Sequence, residues 1–239
     1  MKNIVMNRLF LSSVFILLIS SFLFTACNNN EIGNGKDVNP ESIYFDYKIW
    51  GEEGNDNITV MLQYRFAGRS GTTLLLEDPS RVELDGEQLK VDSSAMTGAY
   101  YEIIKPVNAF TGKHTITYSD TTGKKHAEQF SFSPISLRTT FPNELKRNDL
   151  VFEISGLDSV DFVRVLMLDT AFESKDINGI DTVRNGKLVI SKERLQNVNN
   201  GPIHLEFYKE MDRPVKDGTK EGGRLSITYG LKRDFILTD

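Results

Sequence analysis

The stretch that decides the fold is Ile58-Thr-Val-Met-Leu-Gln-Tyr-Arg-Phe66, in which apolar or aromatic side chains recur at every second position. Val60, Leu62, Tyr64 and Phe66 share one side of an extended chain, because successive side chains of a strand point to opposite faces. A period of two built from β-branched and aromatic residues predicts a half-buried β-strand.

Similar short runs continue to both ends of the chain, separated by turns that contain glycine, asparagine or aspartate. Asp85-Gly86 and Asn185-Gly186 are typical of two-residue hairpin turns, because such turns need a positive φ. One short helix is expected over residues 191–198, with Ser191 as its N-cap. The predicted strands cover residues 43–50, 58–66, 72–76, 81–84, 88–91, 100–104, 114–119 and 127–132, then 151–154, 162–168, 182–183, 187–190, 203–208, 224–229 and 233–237. About seven strands in each half predict an all-β fold of two tandem β-sandwiches, immunoglobulin-like or fibronectin-III-like.

The N-terminus reads as a secretory signal. A basic segment with Lys2 and Arg8 precedes an apolar run over residues 9–24, and Thr25-Ala26 leads into the only cysteine, Cys27. This stretch resembles the lipobox of bacterial lipoproteins, although Phe24 stands where that family prefers leucine. The resemblance implies that signal peptidase II cuts before Cys27 and that the thiol is acylated. An uncleaved membrane anchor is the alternative, but the apolar run is shorter than the roughly 20 residues that a spanning helix needs.

Four segments follow from these patterns. Residues 1–26 are expected to be the signal peptide, and residues 27–40 an acylated cysteine with a flexible, asparagine- and glycine-rich tether. Two prolines, Pro134 and Pro142, mark the predicted boundary between the first sandwich, residues 41–135, and the second, residues 136–239.

Composition excludes several classes of function. A formal net charge of −5 without a basic stripe argues against nucleic acid as a partner. A single cysteine excludes a disulfide framework and a cysteine-based zinc site. The chain contains neither GxSxG nor HExxH, so we predict no catalytic residue, no metal ligand and no cofactor, and a hydrolase is the least favoured function.

The histidines and two acidic loops contain residue types that bind metal ions. His114, His126 and His204 are predicted to lie on the solvent-facing sides of strands, with a metal shared by His114 and His126 as the alternative. Residues 52–56 and 176–181 are rich in oxygen ligands, but neither completes a calcium loop, since position twelve of the second would be Lys187. Solvated turns are the favoured interpretation of both.

Two features remain as binding candidates. Trp50 ends a strand beside an acidic glycine turn, which suits either a sugar-stacking platform or a buried core position. Residues 209–223 are charged and lack periodicity, which suits either a recognition loop or a mobile hairpin tip.

The whole chain resembles small envelope lipoproteins of Bacteroidota built from tandem immunoglobulin-like sandwiches. Beyond Cys27 the resemblance is one of style, carried by stretches such as Val82-Glu-Leu-Asp-Gly-Glu-Gln-Leu89. It implies a non-catalytic outer-membrane lipoprotein, periplasmic or surface-exposed, that is held in the lipid bilayer by acylated Cys27 and acts as a structural spacer or as an interaction module for another envelope protein. The alternative is a glycan-binding accessory lipoprotein of a polysaccharide-utilisation system.

Overall fold

Strands dominate the computed structural model, which describes residues 32–138, 140–170 and 176–239. Alternation along the sequence becomes alternation of burial: in the strand Asn57–Phe66, Ile58, Val60 and Leu62 are fully buried. The strands of the first half are β1 Ile32–Asn34, β2 Ile43–Glu52, β3 Asn57–Phe66, β4 Thr73–Leu75, β5 Arg81–Leu84, β6 Glu87–Gln88, β7 Val91–Ser94, β8 Gly98–Pro106, β9 Gly112–Ser119 and β10 Lys125–Phe132.

These strands form two facing sheets with a core rich in aromatic rings. One sheet contains β7, β8, β3 and β2 in that order, and the other has the order β10-β9-β5-β6. The ring of Tyr118 on the second sheet lies 5.2 Å from Phe45 and 4.8 Å from Tyr64 on the first, measured between centroids. All three rings are buried, so packing between the two sheets provides the core of the first sandwich.

The second half is also built in two layers. Its strands are β11 Ser136–Leu137, β12 Glu144–Lys146, β13 Leu150–Ser155, β14 Val160–Asp169, β15 Ile177–Arg184, β16 Lys187–Ile190, β17 Gly201–Pro214 and β18 Gly223–Thr238, with the one-turn helix α1 Lys192–Leu195 before β17. β16 forms a single bridge with β15 and then pairs with β13. This pairing places β13 in the second layer, across from the neighbouring strands. Phe152 on β13 accordingly contacts Phe207 on β17, with ring centroids 5.1 Å apart.

A long hairpin of β17 and β18 is shared by both halves. Residues 203–208 of β17 pair with β14, whereas residues 223–230 of β18 pair in parallel with β2. The described strands therefore continue from one half to the other through a single 14-stranded sheet, and residues 31–239 form one compact unit.

The predicted all-β class built from packed sheets is confirmed, as are both hairpin turns. Asp85, Gly86, Asn185 and Gly186 all have positive φ values, between 49° and 86°. The two last predicted strands are in fact one, β18. The positions of the domain boundaries stay predictions.

The predicted tether is shorter than expected. β1 pairs in parallel with β4, and Gly35 behind it is buried. A Cβ on Gly35 would lie 3.0 Å from the carbonyl oxygen of Leu75, so the glycine allows this close approach. From Ile32 onward the stretch predicted to be flexible belongs to the fold.

Candidate functional site

Cys27, the predicted lipidation site, lies outside the described residues. Within the described part of the chain, no helix is both long and apolar enough to span a bilayer. Membrane attachment therefore stays a prediction from the sequence.

Trp50, the predicted ligand-binding residue, lies in β2 with 40% of its surface exposed. It is not a core residue, because Phe45, Tyr47 and Ile49 take the inward positions of this strand and leave Trp50 on the opposite face. In the described chain, the second sheet of the sandwich covers only the inward side. Around Trp50 the outer side of this sheet is open to solvent, whereas Asp46 and Gln63 farther along it are buried.

An uncharged row crosses four neighbouring strands at Trp50. Trp50 pairs with Thr228 on β18 and with Thr59 on β3, and Thr59 in turn pairs with Ile104 on β8, which is 57% exposed. Four strands at a spacing of about 4.8 Å give this Trp50 row a width of roughly 14 Å. A flat surface with an aromatic ring beside threonine and isoleucine suits contact with another macromolecule.

The same side of the sheet continues into the second half, and we call the whole outer side the open face. Phe162 on β14 and Ile180 on β15 lie on it and are 58% and 62% exposed. Tyr208 on β17 lies between the two parts of this face. Its ring packs closely against β18, since a Cβ on Gly230 would lie only 2.9 Å from it. The glycine lets the ring lie against the backbone of β18.

A hydrogen-bonded group of charged residues lies beside this tyrosine. The His204 ring contacts Asp234 Oδ1 through Nδ1 at 2.7 Å and Glu206 Oε1 through Nε2 at 2.9 Å, and Tyr208 Oη donates to Glu206 Oε2 at 2.6 Å. The hydrogen bonds to Asp234 and then Glu206 raise the pKa of His204, because both favour the doubly protonated ring. Burial, followed by the bond to Glu206, raises the pKa of Tyr208. These groups hold one another in place through hydrogen bonds.

The solvent-facing prediction is wrong for two of the three histidines. His114 and His126 are buried, because they share the inner faces of β9 and β10 with Ile116, Tyr118 and Phe130. His114 bonds the Asp85 carboxylate and the carbonyl of Phe110, each at 2.7 Å. His204 alone lies on the solvent-facing side of its strand, as predicted, and is partly exposed.

The two acidic loops are occupied by basic side chains. Glu52 pairs with Lys232 at 2.7 Å, and Glu53 pairs with Arg233. The second loop was expected to be a turn over residues 176–181, but Ile177–Arg184 is a strand whose Asp181 accepts two hydrogen bonds from Arg194. Across the described ranges, no group of three or more His, Cys, Asp or Glu residues is placed to hold a metal ion.

The charged stretch over residues 209–223 is neither a free loop nor a mobile tip. β17 extends through it to Pro214, and the remaining turn is anchored to the first sandwich. Asp217 Oδ2 accepts the N–H of Ala127 at 2.7 Å, Glu128 Oε2 accepts the N–H of Lys216 at 2.6 Å, and Thr219 Oγ1 donates to the carbonyl of Ile43 at 2.6 Å. This stretch connects the edges of the two sheets.

Sequence reasoning missed Phe162, Ile180 and Ile104 as surface residues. The signal was present in β14, where Val163, Val165 and Met167 take one face while Phe162 also stands apolar on the other. Apolar residues on both faces of a strand predict that the second face is covered by something or is open for binding.

Comparisons with known proteins define no family for this chain. No protein-family model matches it, and no curated protein matches it. Among solved structures, it is similar to the crystal structure of DIP-gamma IG1+IG2, with 10% identity, a TM-score of 0.24, and coverage of 82% of this chain and 95% of that one. It is also similar to Dpr11 IG1 bound to DIP-gamma IG+IG2, with 10% identity, a TM-score of 0.24, and coverage of 79% and 98%. Likenesses with such TM-scores are too distant to bear on the function of this chain.

Proposed function

We propose that this chain is a non-catalytic lipoprotein of the bacterial outer membrane whose open face binds another envelope protein. Acylated Cys27 is its attachment to the lipid bilayer, and two or more acyl chains are needed for stable anchoring. Because β1 begins at Ile32, the linker from Cys27 to the fold is short, and fully extended it reaches at most about 18 Å. The fold is then held close to the lipid rather than displayed at a distance.

The observation that carries the proposal is that four exposed apolar side chains lie on the same open face of the sheet. Single exposed apolar residues are ordinary, but a group on one flat side is typical of an interaction surface. Trp50, Ile104, Phe162 and Ile180 all lie on this side and are between 40% and 62% exposed. Aromatic residues in such positions commonly dominate binding energy.

Photo-crosslinking tests the partner hypothesis. A photoreactive amino acid at Thr59, between Trp50 and Ile104, is expected to give a discrete protein adduct in intact cells of the native host. The same probe at Thr117, on the outer side of β9, is the control and should give none. Trp50→Ala should weaken the adduct tenfold or more, since truncating a central aromatic anchor costs about 2 kcal/mol. Equal adducts from both probe positions would contradict the proposal.

The exposed Trp50 ring favours one second candidate, a glycan-binding accessory lipoprotein, because flat aromatic rings stack on sugars. Affinity electrophoresis through gels containing single polysaccharides distinguishes the two. Glycan binding predicts retardation that Trp50→Ala abolishes and Ile104→Ala leaves unchanged. Unretarded migration in every gel argues against it.

Lipid attachment has its own test. Radiolabelled palmitate should enter the wild-type chain and not Cys27→Ala, which should leave the membrane fraction. Labelling of the variant would show that the tether was assigned to the wrong residue.

A further inference from the structure

A cleft of about 690 Å³ opens along the edge of β10, on the side of β18 opposite to the Trp50 row. Its floor contains Phe130 and Phe132 from β10 and Ile227 and Tyr229 from β18. Gly156, in the connection between β13 and β14, lies at the end of the cleft where β10 ends. A Cβ on Gly156 would come within 2.1 Å of the carbonyl oxygen of Pro134, two residues beyond β10. The cleft is therefore a gap with an apolar floor beside an edge strand.

The main chain of β10 offers hydrogen-bonding groups to this gap. The N–H of Ala127 donates outward to Asp217, and the carbonyl of Gln129 accepts outward from Arg213 Nη2 at 2.9 Å. Because the groups of an antiparallel strand alternate in direction, the N–H and carbonyl of Ser131 also point outward. Within the described part of the chain, nothing bonds these two groups of Ser131. The hairpin thus protects the first part of the edge and leaves the part over the cleft unpaired.

Opposite charges stand at the two ends of the cleft. Lys216 lies near Glu128, whose carboxylate accepts its main-chain N–H, and Asp158 follows Gly156 at the other end. Neither side chain has an ion-pair partner among the described residues. The other charges that line the cleft are already paired, as in Lys209 with Asp161 at 3.7 Å and Arg213 with Glu128 at 2.5 Å.

We propose that this cleft accepts an extended peptide segment of a partner protein as a fifth strand of the second sheet, antiparallel to β10. Residues 129–133 span about 17 Å, enough for roughly five peptide residues. Antiparallel pairing matches every other pair in this sheet. Main-chain bonds to Ser131 supply affinity, and alternate side chains entering the floor supply selectivity.

The geometry fixes the sequence pattern of the peptide. Residues opposite Phe130 and Phe132 point inward and must be apolar, while the one opposite Ser131 points to solvent. The N-terminal residue lies near Asp158 and the C-terminal residue near Lys216, so the first is basic and the last acidic. Lys-Val-Thr-Val-Glu satisfies all five positions.

Fluorescence anisotropy with this peptide and the full chain in mild detergent tests the proposal. We expect saturable binding below about 1 mM, the weak end of specific recognition. The reversed peptide, Glu-Val-Thr-Val-Lys, should bind at least tenfold more weakly, because both end charges then meet like charges. Lys216→Glu should weaken binding of the original peptide, whereas Lys125→Glu, elsewhere on β10, should not.

A backbone variant tests strand pairing directly. Ser131→Pro removes the outward N–H and should lower affinity tenfold or more, while Ser131→Ala should bind normally. Amide exchange of the wild-type chain gives a readout independent of folding of the variant, since the Ser131 N–H should exchange more slowly when peptide is bound. Absence of binding, equal binding of the reversed peptide or unchanged Ser131 exchange overturns the proposal. Neither test involves Trp50, so failure of the peptide proposal can be distinguished from failure of the proposed binding at the open face.

Discussion

Glu128 is the residue whose replacement tests most directly how the hairpin is held to the first sandwich. Its side chain is 1% exposed, pairs with Arg213 at 2.5 Å and accepts the Lys216 N–H at 2.6 Å. Both partners come from the hairpin, whereas Glu128 belongs to β10. The carboxylate is therefore a buried connection between the two sheets.

The size of the effect follows from this burial. Removing one member of a buried ion pair typically costs about 3–5 kcal/mol, because the partner's charge is left uncompensated. Glu128→Ala should lower the free energy of unfolding by about that amount. Glu128→Gln preserves volume and one acceptor for Lys216 but loses the charge, so we expect a loss of about 1.5–3 kcal/mol.

Urea unfolding followed by circular dichroism measures both variants. Glu210→Gln is the matched control, because Glu210 pairs with Arg164 while both side chains are more than a third exposed. Such a surface pair contributes about 0–1 kcal/mol. If Glu128→Gln lost no more stability than Glu210→Gln, the buried connection would not hold the hairpin in place. Replacing Glu128 and Arg213 together by methionine should recover most of the loss.

Two further perturbations have signs that the structure decides. The Asp234 carboxylate raises the pKa of His204. This pair therefore stabilises the fold fully below the unfolded-state pKa of about 6.5, and the stabilisation is lost as pH rises through the raised pKa of the folded state. The pH dependence of unfolding of His204→Gln should lack this contribution, and a profile identical to that of the wild type would contradict the assignment. Gly71→Ala should destabilise by about 1–3 kcal/mol, since its Cβ would lie 1.7 Å from the Phe66 carbonyl oxygen, whereas Gly179→Ala, with open space around it, should change stability by less than about 0.5 kcal/mol in the same urea assay.

Strands with clear alternation could be predicted from the sequence, as the agreement at β3 shows. Residues 209–214 could not, although they continue β17. Their inward positions are Lys209, Met211 and Arg213, and charged residues at inward positions remove the period of two from the sequence. Arg213 occupies its inward position because Glu128 lies opposite it in space, and no local pattern indicates a partner so distant in the sequence.

The histidines illustrate the same limit from the other side. His114 alternates with Ile116 and Tyr118, so the sequence indicates which residues share its face but not that this face is buried. The face is buried in the core of the first sandwich, and each ring nitrogen of His114 lies 2.7 Å from an acceptor, Asp85 or the Phe110 carbonyl. A histidine among apolar neighbours is therefore better assigned to the core when nearby turns supply acceptors.

The long hairpin of β17 and β18 crosses the boundary that the sequence predicts at Pro134 and Pro142. The two prolines interrupt strand pairing locally, as their chemistry requires. Yet, among the described residues, β2 completes its pairing with β18 and the buried Glu128 carboxylate is neutralised by Arg213, both contributed by the last quarter of the chain. The first sandwich thus depends on residues beyond the predicted boundary for a strand and for the charge balance of its interior.

One hairpin also supplies one side of β18 to the Trp50 row and the opposite side to the cleft floor. Because β18 is held by pairing along its whole length, it presents both surfaces on rigid backbone, which favours binding by preformed surfaces over binding by mobile loops.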